Sequence, residues 1–220
     1  MAQTMTRRLT LPDGAAPAGT DGLLHAPSAA RNADAILYAL LPRLPGAGTV
    51  LELASGTGQH VAALAAARPG LRFRPTEPDP LRRATIDARC AALPNVEAAD
   101  DLDACAPGWG AATAADALLV VNLLHLVSEA ESSVLLDEAA QALGPGGMLA
   151  IYGPFLRGGM AVSAGDAAFD ADLRAQDPAI GYKDAAAVEQ VMTVLGMDVE
   201  RIEMPANNLM LIGRVGARGL

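Results

Sequence analysis

The residues best suited to chemistry are Glu52, Gly56 and Gly58 in the stretch Val50-Leu-Glu-Leu-Ala-Ser-Gly-Thr-Gly58, and the acid Glu77. The two glycines remove Cβ where the chain turns and where a ligand can lie against bare backbone. A helix-compatible run over residues 59–68 follows and offers unpaired amide donors at its start. The loop therefore suits a polar, nucleotide-like ligand. It departs from a dinucleotide fingerprint, because Glu52 precedes Gly56 by four residues and Val61 stands where a third glycine would let the helix pack closely. Leu71-Arg-Phe-Arg-Pro-Thr-Glu77 alternates apolar and polar residues and ends on the acid. A carboxylate about 20 residues beyond the glycines, at a strand's carboxyl end, can accept both hydrogens of a ribose diol.

Further polar residues fall at the ends of apolar runs. Asp100, Asp101 and Asp103 follow the short strand candidate Asn95-Val-Glu-Ala-Ala, and one of them can accept an adenine amine. Asn122 ends the apolar run 116–121, and His125 follows three residues later. Tyr152 ends the next apolar run, and Asn207 and Asn208 occupy a turn near the C-terminus. Ligands of open α/β sheets sit outside the carboxyl ends of strands, so His125, Tyr152, Asn207 and Asn208 are expected to form an acceptor pocket. Arg31 and Asn32 fall in the first turn of the helix before the first strand, where they could close over a bound ligand. His125 is the one member able to take a proton near neutral pH, which makes it the first choice for a general base.

A chain of 220 residues, 51% hydrophobic, accommodates one full-sized domain. Its net charge of −9 and single lysine, Lys183, argue against a surface that tracks nucleic-acid phosphates. Cys90 and Cys105, with His25, His60 and His125 far apart in sequence, make no metal-ligand spacing, so no metal is expected. Neither a signal peptide nor a membrane span is visible, and a reduced cytoplasmic setting is expected.

The elements that position these residues alternate along the chain. Residues 1–24 read as a flexible arm, and residues 25–220 as one domain. Ser28 can cap a helix that Pro42 ends, after which strand, glycine loop and helix repeat with the run at Glu77. Pro78-Asp79-Pro80 starts a helix to about Leu93, and residues 131–143 form another, stopped by Gly144-Pro-Gly-Gly147. Residues 166–176 and 184–195 read as helices, and residues 199–204 and 209–214 as strands joined by a hairpin turn. The reading is a Rossmann-like α/β domain, doubly wound and mostly parallel, with an antiparallel last strand.

The glycine loop, Glu77, Asn122-Leu-Leu-His125, Leu143-Gly-Pro-Gly-Gly147 and the closing hairpin resemble the successive motifs of class I S-adenosylmethionine-dependent methyltransferases. His25-Ala-Pro-Ser-Ala-Ala-Arg-Asn32, Ala54-Ser-Gly-Thr-Gly-Gln-His60, Tyr152-Gly-Pro-Phe155, Ala168-Phe-Asp-Ala-Asp-Leu-Arg174 and Glu203-Met-Pro-Ala-Asn-Asn-Leu209 are similar to blocks of the methyltransferase-like 26 family, formerly a domain of unknown function. The resemblance implies a seven-stranded sheet with S-adenosylmethionine across the carboxyl ends of its first strands. It sets Glu52, Ala54, Gly56 and Gly58, with Ser55 and Thr57 between them, around the methionine part. It sets Glu77 on the ribose, Asp103 by the adenine and the Asn122 backbone at the methionine end. Ala54 replaces a common first glycine, and Glu77 stands where the family usually has Asp.

The activity this implies is methyl transfer from S-adenosylmethionine to a small molecule or a protein side chain, with nucleic acid and membrane not expected as partners. An NAD-dependent dehydrogenase would use a similar loop and acid, and a non-catalytic S-adenosylmethionine-binding protein would share the fold.

Overall fold

The computed structural model of the protein describes residues 9–11 and 22–216. Most of the expected N-terminal arm lies outside the described residues.

In chain order the elements are α1 (Pro27–Leu40), β1 (Gly48–Leu53), α2 (Gln59–Ala67), β2 (Leu71–Pro75), α3 (Pro80–Cys90), β3 (Ala115–Val121), α4 (Glu129–Ala142), β4 (Leu143–Pro154), α5 (Ala164–Gln176), α6 (Ala185–Val194), β5 (Met197–Glu203) and β6 (Asn208–Val215). Local chemistry sets many of the boundaries. Pro27 occupies the first turn of α1, so its cap position is Ala26 and not Ser28. Asp79 caps α3 through the amides of Leu81 and Arg82, and Asp184 caps α6. Ser128 and Glu131 form a reciprocal capping box on α4. That helix stops at Ala142, and β4 begins at once, running through Gly144–Gly147 and on to Pro154.

The sheet has the order β2-β1-β3-β4-β6-β5. The first three pairings are parallel, and β6 runs antiparallel to both β4 and β5. Both faces are covered. Val50, Ala117, Leu119, Met210 and Ile212 pack under α1, α2 and α3, whereas Leu51, Leu118, Val120, Leu149 and Leu211 pack under α4 and α6. Each such fully buried Val, Leu, Ile or Met side chain is worth roughly 1.5–3 kcal/mol of transfer free energy.

The sheet has six strands among the described residues, which corrects the expected seven. Residues 95–100 do lie beside β2, but only as isolated parallel bridges, Phe73 with Val96 and Thr76 with Asp100. Phe73 exchanges hydrogen bonds with Asn95 and Glu97, and the next outward donor on β2 falls at Pro75, which has no N–H. The ladder resumes one residue out of step, with the Asp100 amide donating to the Pro75 carbonyl.

Candidate functional site

The glycine loop is a tight main-chain turn at the carboxyl end of β1. Ala54, Gly56 and Gly58 all have positive φ (51°, 60° and 74°). Ala54 thus adopts a conformation glycine would take without strain. Ser55 N donates to the Thr76 carbonyl (2.8 Å) and Gly58 N to the Ser55 carbonyl (2.9 Å), which ties the loop to β2 and to itself. The two glycines differ in their surroundings. A Cβ on Gly58 would meet Ile86 of α3 at 3.0 Å, whereas a Cβ on Gly56 would meet nothing within 4 Å. Gly58 serves close packing; Gly56 faces open space.

Two buried carboxylates, Glu52 at the end of β1 and Glu77 just past β2, belong to this region. Glu52 is 2% exposed, and neither of its carboxylate oxygens has a hydrogen-bond partner. Ser55 Oγ donates to the Glu52 main-chain carbonyl (3.2 Å), not to the carboxylate. Desolvation, reinforced by the nearby Glu77, pushes the Glu52 pKa up to about 8. Leaving a buried carboxyl unpaired is costly, which makes Glu52 a site shaped for a cationic or donor group. Glu77 accepts from Gly56 N (2.9 Å) and from Asp79 N (3.2 Å). Burial raises its pKa against those hydrogen bonds and the nearby Arg82.

Several anchors escaped sequence reading, most of them because they join residues far apart in the chain. Arg83 donates to the Glu77 and Pro78 carbonyls and pairs with Asp101, which steadies the β2 end. Arg89 of α3 donates to the Thr57 and Leu24 carbonyls (2.8 and 2.7 Å). Gln59 Oε1 accepts from Thr57 Oγ1 and Ala26 N, both at 2.7 Å. Together Arg89 and Gln59 bind the approach to α1 onto the glycine loop, and α1 carries Arg31 and Asn32. Glu138 of α4 accepts from Gly108 N and Gly110 N and so holds the turn that follows Asp103.

Of the three acids, Asp100 pairs with Arg74 and Asp101 with Arg83, while Asp103 accepts from Cys105 N (2.9 Å). An open hollow lined by Arg74, Asp101, Asp103 and Trp109 lies beside them, and no residue of the glycine loop lines it.

At the β3 and β4 ends, Asn122 has φ 55° and its N–H donates to the Tyr152 carbonyl (2.8 Å). His125 is packed edge-on against Phe169 of α5 and Tyr182, at ring separations of 5.8 and 6.0 Å. Burial and the adjacent Lys183 hold its pKa down to about 3. It is neutral at pH 7, but its imidazolium is disfavoured, so it is a weak proton acceptor. Lys183 is itself buried, donating to the Val127 and Gly181 carbonyls (2.7 and 2.9 Å). Tyr152 faces the opposite side of the sheet from this cluster, under α1, near Asn32. The hairpin turn does reach the same edge, since Asn208 pairs with Pro154. Asn207 Nδ2 donates to Asp166 of α5 (2.9 Å), whereas Asn208 Nδ2 is turned into its own turn, onto the Pro205 and Ala206 carbonyls.

The fold as a whole is similar to that of solved methyltransferase structures. An O-methyltransferase family protein from Burkholderia thailandensis aligns with a TM-score of 0.75 at 20% identity, over 87% of this chain and 58% of that one. Human N-acetylserotonin methyltransferase in complex with S-adenosylmethionine aligns at 0.72 and 15%, over 86% of this chain and 53% of that one. An O-methyltransferase family 2 protein from Planctomyces limnophilus in complex with apigenin aligns at 0.69 and 17%, over 85% and 59%. The chain spans little more than half the length of these proteins, and at such identities the agreement is one of fold. By its sequence, matched over residues 24–214, the chain belongs to the family of proteins of unknown function DUF938.

Proposed function

We propose that the protein is an S-adenosylmethionine-dependent methyltransferase acting on a small molecule or a protein side chain. The observation that carries this reading is Glu52: a buried carboxyl with two unpartnered oxygens on the strand that leads into the glycine loop. The α-ammonium of the cofactor's methionine part is a fitting partner. The main chain of Ala54 to Gly58 would line that part, Glu77 would take the ribose diol, Asp103 the adenine amine and the Asn122 backbone the methionine end. The bound sulfonium supplies an already activated methyl group, so the chain's task is to align the acceptor in line with it and to exclude water. Proton removal is needed only for an acceptor that holds its proton at neutral pH, and His125 is poorly suited to provide it. Asn207, in the hairpin turn that reaches the same edge, is the better candidate for contact with the acceptor.

Within the methyltransferases, the blocks around Asn32, His60 and Tyr152 support a place beside the methyltransferase-like 26 family. The antiparallel β6 between β4 and β5 departs from the all-parallel dinucleotide fold and weighs against a dehydrogenase. No helix among the described residues is long and apolar enough to cross a membrane, and Cys90 and Cys105 form no disulfide; a cytoplasmic setting is part of this proposal. Calorimetry with S-adenosylmethionine, its demethylated product and NAD tests the reading: the first two should bind and NAD should not. Transfer of labelled methyl into a metabolite or protein extract then separates an enzyme from a binding protein.

A further inference from the structure

Three polar residues that the sequence keeps apart meet in one cluster. Asn32 comes from the first half of α1, His60 from the first turn of α2 and Tyr152 from the end of β4. His60 Nε2 lies 2.8 Å from Asn32 Oδ1. An amide oxygen only accepts, so Nε2 carries the hydrogen and His60 is the donor. Burial holds the imidazole pKa down to about 4, which keeps His60 neutral at pH 7. With Oδ1 occupied by His60, the Asn32 amide turns its NH2 toward the Tyr152 hydroxyl, which lies within hydrogen-bonding reach. An oxygen that accepts from Asn32 has its own hydrogen left to donate, and burial keeps that phenol protonated. The cluster is a one-way series of donors that ends in an O–H beside the β4 end.

The charge pattern of the site gives this polarity a use. Glu52 and Glu77 offer oxygens, which suit an ammonium and a diol. The amino-acid end of the methyl donor also carries a carboxylate, which those acids repel and which needs donors from another wall. We infer that Asn32, His60 and Tyr152 form that wall, with Tyr152 in contact with the ligand carboxylate and His60 as a positioning residue that acts through Asn32. The inference rests on the methyl-donor reading above and adds to it the group that is recognised and the direction of the hydrogen bonds.

The test compares S-adenosylmethionine with 5′-methylthioadenosine, which keeps the adenine, ribose and thioether but lacks the amino-acid end. In calorimetry, Tyr152→Phe should weaken S-adenosylmethionine by roughly tenfold or more, the loss of a hydrogen bond to a charged group, and leave methylthioadenosine unchanged. His60→Ala should act in the same direction with a smaller loss. His60→Gln, whose amide nitrogen can stand in for Nε2, should recover it. Asn32→Ala, a substitution favourable to a helix, serves as a second probe should Tyr152→Phe fail to fold. Equal loss of both ligands, or unchanged S-adenosylmethionine affinity in Tyr152→Phe, would overturn the assignment. A His60→Gln protein no better than His60→Ala would remove the positioning role. Wild-type protein that binds methylthioadenosine but not S-adenosylmethionine would overturn this inference alone, whereas binding of neither would overturn the methyl-donor reading with it.

Discussion

Around Gly56 the candidate site is built from main chain; around His125 it is built from side chains delivered by separate segments. The glycine loop is held by Ser55 and Gly58 amides and by carbonyls of β1 and β2, all within 25 residues of one another. The opposite end depends on Phe169 from α5, Tyr182 and Lys183 from the α5–α6 connection and His125 from beyond β3. A backbone cradle tolerates change in the side chains around it, and it serves a ligand that does not change. A side-chain pocket can be recast without disturbing the sheet, which suits a partner that differs between enzymes.

The largest expected effect is on the backbone side. Gly56→Val places a branched side chain at φ 60° in the open space in front of the glycine loop. Left-handed backbone costs such a residue about 1–2 kcal/mol. S-adenosylmethionine binding should be lost in calorimetry while circular dichroism stays close to native; a variant that binds normally would move the ligand elsewhere. Next, Glu77→Ala should weaken the same ligand by about 1.5–3 kcal/mol, the range for hydrogen bonds to a charged group. Unchanged affinity would remove Glu77 from the ribose.

The side-chain half should respond in stability before it responds in cofactor affinity. Lys183→Met leaves the Val127 and Gly181 carbonyls without their donor. The expected loss is roughly 1–3 kcal/mol of unfolding free energy, read from denaturant midpoints, with S-adenosylmethionine affinity unchanged. A parallel loss of cofactor affinity would show that the two halves are coupled and would break the contrast.

The smallest effect is a pH slope. The folded-state pKa values of His60 and His125, about 4 and 3, lie below the ordinary 6.5, so between those limits the unfolded chain binds more protons and stability rises with pH. Glu52 has the opposite sign. Its pKa, raised from 4.5 to about 8, makes the folded state hold the extra proton, a contribution lost as pH rises through 8. The two histidines outweigh Glu52 on the acid side, and Glu52 prevails above them. Ligand-free stability should therefore peak near about pH 6.5 and fall toward pH 8 by at most about 1.4 kcal/mol per unit for one proton. Glu52→Gln should flatten that fall; an unchanged profile would show that Glu52 is already ionised.

The same contrast governed what could be read before any coordinates. The glycine loop, the acid at the β2 end and the hairpin at residues 204–208 rest on local rules of turn chemistry and strand alternation, and they stand where expected. The seventh strand did not form a ladder, because alternation in residues 95–99 says nothing of the missing donor that Pro75 presents from across the pairing. Ser28 gave way to Ala26 at the α1 cap because Pro27 is better suited to the first turn. Arg89, Glu138, Lys183 and the Asn32–His60 contact carry no local signature. Apart from the bond of Lys183 to Gly181, their partners lie from 28 to 65 residues away, as for His60 with Asn32 and Arg89 with Leu24. Neutral His125 inside an aromatic cluster was likewise beyond a reading of its position alone.

Pro75 has an effect on the protein's behaviour in a crowded solution. The border of a sheet normally presents a row of donors and acceptors on which another chain's strand can grow. Here the outer side of β2 is covered by residues 95–100 in two short bridges that are out of step, and Arg72 and Arg74 form ion pairs with Glu97 and Asp100 across the gap. A stranger strand would find neither a regular spacing to follow nor an uncharged surface to lie on. The irregularity that denies this domain a seventh strand thus guards one flank against self-association, and Pro75→Val would be expected to knit the border into a continuous ladder and to bring that hazard back.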